Sequence, residues 1–117
     1  MERAHETLRE AEMLRSAEMW HGCVCRLHQA CVFIVSAHLA SIDRPLASIL
    51  DMILAVDELL VGRQLIAAEI GAVFQTLVEQ CHVADHEDFV VLDATQIELW
   101  TDRAAAFIGQ VETVTRR

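Results

Sequence analysis

Trp20-His21-Gly22-Cys23-Val24-Cys25-Arg26-Leu27-His28-Gln29-Ala30-Cys31-Val32-Phe33-Ile34-Val35-Ser36-Ala37-His38-Leu39-Ala40 is the stretch whose reading decides the fold. Its apolar residues at 24, 27, 31, 34, 35 and 39 follow the 3.6-residue period of an α-helix, so one face belongs to a core. Val32, Phe33 and Ala37 make much of the remaining surface apolar as well, which predicts a central helix contacted on more than one side. Arg26 and three histidines interrupt that character, and a guanidinium near the first turns is not buried without a partner. An arginine and a histidine at the mouth of a central helix are the chief functional clue.

Working outward, the segment before it predicts a half-exposed first helix over 2–18. Ala4, Leu8, Ala11 and Leu14 form a thin apolar stripe there, and Glu and Arg alternate at helix-neighbour spacing on the wet side. Trp20 and Gly22 mark the junction into the central helix, which is expected to end near Ser41. Asp43 can then cap and Pro45 open a third helix over 45–61, with Leu46, Ile49, Leu50, Ile53, Leu54 and Leu60 apolar and Gly62 as a left-handed cap. A fourth helix over 64–81 presents Ile66, Ile70, Val73, Phe74, Leu77, Val78 and Cys81 at i, i+4, i+7, i+8 spacing. The stretch 82–92 breaks the period and reads as a long irregular loop, a place where function often sits. Asp93-Ala94-Thr95-Gln96 has capping-box form and opens a last helix over 94–115. The expectation is one all-α domain over 1–117, a five-helix antiparallel up-and-down bundle.

Composition fits that reading and narrows function. The chain has 117 residues, 54% of them hydrophobic, with only four glycines and one proline, so it is neither disordered nor rich in linkers. No apolar run approaches the roughly 18–20 residues of a membrane span. The acidic, amphipathic N-terminus is unlike a signal peptide, so a soluble, cytoplasmic protein without membrane contact is expected. A net charge of −9 argues against a generic nucleic-acid surface, which needs clustered Lys and Arg. It leaves room for a small basic site or a basic partner. The apolar content exceeds the average of about 45–50% for soluble domains, and an isologous homodimer would bury the surplus.

Cys23, Cys25, Cys31 and Cys81 read as small buried hydrophobes. Cys23 and Cys25 point about 200° apart on a helix and cannot share a face. His21, Cys25 and His28 fall on one stripe that Cys81 or His82 could complete as a metal site, but no recognised zinc spacing is present. No metal or other cofactor is therefore expected. No Gly-rich phosphate loop or nucleophile elbow occurs either.

The order of these features resembles the HEPN domain family (higher eukaryotes and prokaryotes nucleotide-binding), in its branch of small bacterial and archaeal helical proteins. That branch has a second helix of the form Ala-Val-Ser-Arg-x-Tyr-Tyr-Ala-x-Phe-x-x-x-x-Ala-Leu-Leu. Laid without gaps on Cys23 to Leu39, the sequence keeps Arg26, Ala30, Ala37 and Leu39, and replaces the aromatic pair with His28 and Gln29. An Arg-x-x-Ala-Asp-Tyr element after the fourth helix becomes Cys81-His82-Val83-Ala84-Asp85-His86, which keeps Ala84 and Asp85. Ala104, Phe107, Ile108 and Val111 match the closing pattern approximately.

The resemblance implies a homodimeric HEPN-like bundle, often encoded beside a minimal nucleotidyltransferase. Several HEPN groups are metal-independent endoribonucleases that use an arginine followed four to six residues later by a histidine. Here His86 is well placed, but Cys81 stands where the arginine should be. The one literal match, Arg15 with His21, falls at the first-helix turn. Such chemistry needs a cation on the scissile phosphate and an imidazole for proton transfer. Arg26 and His86 are the candidate catalytic pair; His28, Gln29 and Asp85 are the candidate ligand- or partner-binding residues.

Three functions stand as alternatives. The first is a non-catalytic dimeric module that binds a nucleotidyltransferase-like partner, a nucleotide or RNA through a degenerate ribonuclease site. The second is an active ribonuclease, the toxin of a toxin–antitoxin pair. The third is a helical interaction or metal-binding domain outside the family. The purely structural reading of Arg26 is a buried ion pair with Asp85, since buried charges usually pair.

Overall fold

A computed structural model describes residues 1–45, 48–86 and 92–117, with the side chains of 83–86 outside that description. The chain is all-α: α1 (Glu2–Ser16), α2 (Trp20–Ser41), α3 (Ile49–Ala55), a π-helical turn (Val56–Val61), α4 (Ala68–His86) and α5 (Ala94–Thr115), with no strand among the described residues. Helix α2 lies at the centre and packs against α1, α4 and α5. Its buried residues include Val24, Leu27, Cys31, Ile34, Val35 and Leu39 on the apolar stripe, His38 within that stripe, and Cys23 and Ala30 on its edge. Three helices share this buried face, which spans about half of the circumference.

Individual contacts give the helix directions. Arg3 sits over the Phe33 ring at 4.5 Å and Arg26 reaches Glu10, so α1 and α2 run in opposite senses. Cys25 meets Cys81, which sets α4 against α2 likewise. The His38 imidazole Nδ1 lies 2.9 Å from the hydroxyl of Thr115, and Phe74 of α4 stacks on Phe107 of α5 with centroids 5.9 Å apart. Phe74, Phe107, Leu27, Ile34, Leu77 and Ile108 are among the largest fully buried side chains, and burying each contributes about 1.5–3 kcal/mol.

Helix α2 is 22 residues long and contains an 18-residue window with a mean hydropathy of 1.4, long and apolar enough to cross a membrane by length and composition. This corrects the expectation that no stretch approaches a span: Arg26 and the histidines break the run residue by residue but not its average. Half of that window is buried against the other helices, as a core helix requires.

The middle of the chain differs most from expectation. Pro45 precedes α3 without entering it, and Asp43, at φ 56°, leaves α2 in the left-handed region rather than capping the next helix. The cap is Ser48, whose side chain accepts from the Asp51 N–H at 3.2 Å. The segment starts later than expected and ends in a π turn; it buries Met52, Val56, Leu59 and Leu60, while Leu50 and Leu54, two positions off that face, point to solvent. Leu46 lies outside the described residues. Gly62 is not the left-handed cap, its φ being −61°; Gln64, at φ 59°, takes that conformation. A side chain at 62 would press within 2.8 Å of the carbonyls of Asp57 and Glu58, which the π turn brings together.

Helix α4 begins at Ala68 and continues to His86, so residues 82–86 of the expected irregular loop are helical instead. Residues 87–91 of the expected irregular loop lie outside the described residues. Helix α5 follows expectation, with the Asp93 carboxylate accepting from the Gln96 N–H at 2.8 Å.

Two glycines give opposed predictions. A Cβ on Gly71 would stand 2.4 Å from the Val61 side chain, a stiff β-branched neighbour, whereas a Cβ on Gly109 meets nothing within 4 Å. Gly71→Ala is expected to cost about 1–3 kcal/mol. Gly109→Ala is expected to stabilise by roughly 0.5–1 kcal/mol. Urea unfolding of the two variants checks both signs.

Candidate functional site

The candidate residues gather where the first turns of α2 meet the last turns of α4. Arg26 is half exposed on the α1 side of α2. Its Nε lies 3.5 Å from a carboxylate oxygen of Glu10, at the edge of a shallow hollow that Met13 and Leu14 also line. Among the described residues Arg26 pairs with Glu10 in a solvent-exposed contact; the expected ion pair with Asp85 falls on a side chain outside the described residues. The side chains of Asp85 and His86 lie outside the described residues; the backbone of both belongs to α4.

His28 is two positions beyond Arg26, so the helix turns it away, toward α4. It lines a hollow of about 290 Å³ with Ile49, Val78, Cys81 and His82. Its Nε2 is buried and has no hydrogen-bond partner among the described residues. Burial pushes its pKa below the usual imidazole value of 6.5, so the ring is neutral at neutral pH. Gln29, the next residue, is half-buried.

Comparison with protein families and with curated proteins finds no match to this chain.

The side chains themselves supply what sequence reading missed. Cys25 and Cys81 form a disulfide between α2 and α4, with Cα atoms 5.1 Å apart. This corrects the reading of all four cysteines as unpaired hydrophobes; it holds for Cys23 and Cys31, which are free and buried. Burial raises both of those thiols, Cys31 far above the ordinary range, so neither is a nucleophile. The sequence does carry a signal for the pair. Cys25 and Cys81 fall in one possible donor group, but an up-and-down order of five helices would run the second and fourth parallel and hold the two apart; the structure opposes α2 and α4 and brings them together.

At the other end of the molecule His5 pairs with Glu112, and Arg116 Nε reaches the second oxygen of the same carboxylate at 3.1 Å. The bond from His5 holds the Glu112 carboxyl below its usual range. A separation of 107 residues leaves no sequence signature of that contact.

Arg26→Ala is expected to change stability by less than about 1 kcal/mol, the scale of an exposed pair. Loss of a buried partner would cost roughly 3–5 kcal/mol, and denaturant titration separates the two. Burial also depresses the pKa of His38. Below the ordinary value of 6.5 the unfolded chain therefore binds more protons than the native one. The stabilising contribution is full above that value and is lost as pH falls toward the depressed native values. The melting temperature is expected to drop between about pH 7.5 and pH 5.5, and His28→Gln to drop less.

Proposed function

We propose that this chain is a HEPN-like module: a five-helix antiparallel bundle that forms a homodimer in the cytoplasm. It binds a nucleotidyltransferase-like partner, or a nucleotide or RNA ligand, and its ribonuclease site is degenerate. The observation that carries the reading is the divergence of Arg26 and His28. The arginine is held beside Glu10 on one side of α2, and the imidazole opens into the hollow against α4 on the other. Phosphodiester cleavage needs a cation and a proton-transfer group around one phosphate, and these two do not share a hollow. Cys81, in place of the motif arginine, is bonded to Cys25 and supplies no charge. The net charge of −9 favours a protein partner over a long nucleic acid.

The ribonuclease reading, with Arg26 and His86 as a rearranged pair in a toxin, draws on one observation. The Cys25–Cys81 contact brings the last turns of α4 to the first turns of α2, where those two residues lie.

Light scattering at micromolar concentration is expected to return a dimer, and RNA incubated with the protein in EDTA is expected to stay whole. A strict monomer removes the self-association. Cleavage that disappears in Arg26→Ala or His86→Ala, with folding unchanged, replaces this reading with the nuclease.

A further inference from the structure

The disulfide, the unpartnered imidazole and the hollow between α2 and α4 belong to one place. Cys25 and His28 are three residues apart on α2 and so neighbours on one helix face. Cys81 of α4 is bonded to Cys25 and lines the same hollow as His28, with His82 beside it. Two sulfurs and a neutral imidazole nitrogen form a donor set for a borderline-soft, tetrahedral divalent cation. While the sulfurs are bonded to each other they are lost as ligands, and among the described residues no three such groups stand ready around a common centre. Reduction changes that.

We propose that Cys25, Cys81 and His28 form a thiol-gated zinc site, closed as the disulfide and opened by reduction. A dithiol reductant transfers two electrons and two protons to the S–S bond, giving two thiols and leaving as its own disulfide. Zinc then displaces both thiol protons and binds the two thiolates and His28 Nε2, with its fourth position facing the hollow that His82 lines. Two thiolates on tetrahedral zinc, each about 2.3 Å from the metal, sit roughly 3.8 Å apart. A small separation of α2 and α4 therefore admits the ion. Hydrogen peroxide reverses the step: it takes two electrons from the thiolates and two protons from the buffer acid, re-forms the S–S bond, yields two waters and releases zinc.

The chemistry accounts for features that packing does not. An imidazole nitrogen buried without a partner costs free energy in an apolar wall, and a metal would satisfy it. Disulfides in a reducing compartment are usually transient or redox-sensing, as this pair would be. Cys23 and Cys31, buried and apart from the hollow, take no part.

The test compares one protein in two redox states, using cobalt as the probe. The full chain is reduced with a phosphine, freed of reductant without air, and titrated with cobalt. One equivalent is expected to produce the strong visible bands of tetrahedral cobalt and a sulfur-to-metal charge-transfer band, and peroxide to abolish them with release of the metal. The disulfide form is expected to show neither band. His28→Gln should weaken binding by at least the roughly 10–100-fold that losing even an outer partner of a metal ligand costs. A reduced wild type without the charge-transfer band overturns the proposal, as does undiminished binding by a folded His28→Gln variant. If Cys81→Ser does not fold, the wild-type comparison still decides.

Discussion

Helix α2 presents nine buried side chains across about half of its circumference, and three helices share the work of covering them. The rest of the fold meets that demand. Helix α1 covers one flank with small residues, Ala4 and Ala11, both fully buried, which allow a close approach. Helices α4 and α5 cover the other flanks with Phe74, Leu77, Phe107 and Ile108, and stack their phenyl rings behind α2. Removing α2 would leave α1 and α4 without the helix they share, each packing only against α5 among the long helices. The hydrophobic effect therefore sets the order of construction, and polar ties such as Asp93 to Gln96 and His38 to Thr115 settle the ends.

The same constraint shapes the candidate site. A helix covered by three others has few positions where a polar residue reaches solvent, and its first turns are among them. Arg26 leaves the core there on the α1 side and finds Glu10, while His28 is caught against α4. Arg26 and His28, the arginine and histidine at the mouth of the central helix, are thereby turned away from each other. Two positions along a strand would share a face; two along a helix do not. The fold thus reduces their capacity for joint chemistry and gives His28 a sulfur-rich neighbourhood instead.

How much of this the sequence discloses depends on periodicity. Val24, Leu27, Cys31, Ile34, Val35 and Leu39 are legible as core because a 3.6-residue repeat sustained along most of α2 is the mark of a helix with a buried face. Asp93 is legible as a cap because its carboxylate acts locally. The segment around Ile49 to Val61 is not: apolar residues lie on two sides of it, and the face that packs carries Met52, Val56, Leu59 and Leu60, so Leu50 and Leu54 point outward although their spacing reads as buried. Tertiary pairings leave weaker traces. Cys25 with Cys81 shows only as membership of one possible donor group, and His5 with Glu112 joins the first turn of the chain to the last helix and has no local signature.

The π turn at Val56–Val61 has a further meaning for the lineage of the sequence. Such a turn holds one residue more than the α-helical path between the same two anchors, here the capped start of α3 and the close contact of Val61 with Gly71. The surplus is accommodated as a bulge on the surface side, marked by exposed Asp57 and Glu58, and α4 keeps its own register beyond it. The segment therefore works as a slip joint: a single-residue insertion or deletion arising there can be taken up locally, without rotating α4 against α2.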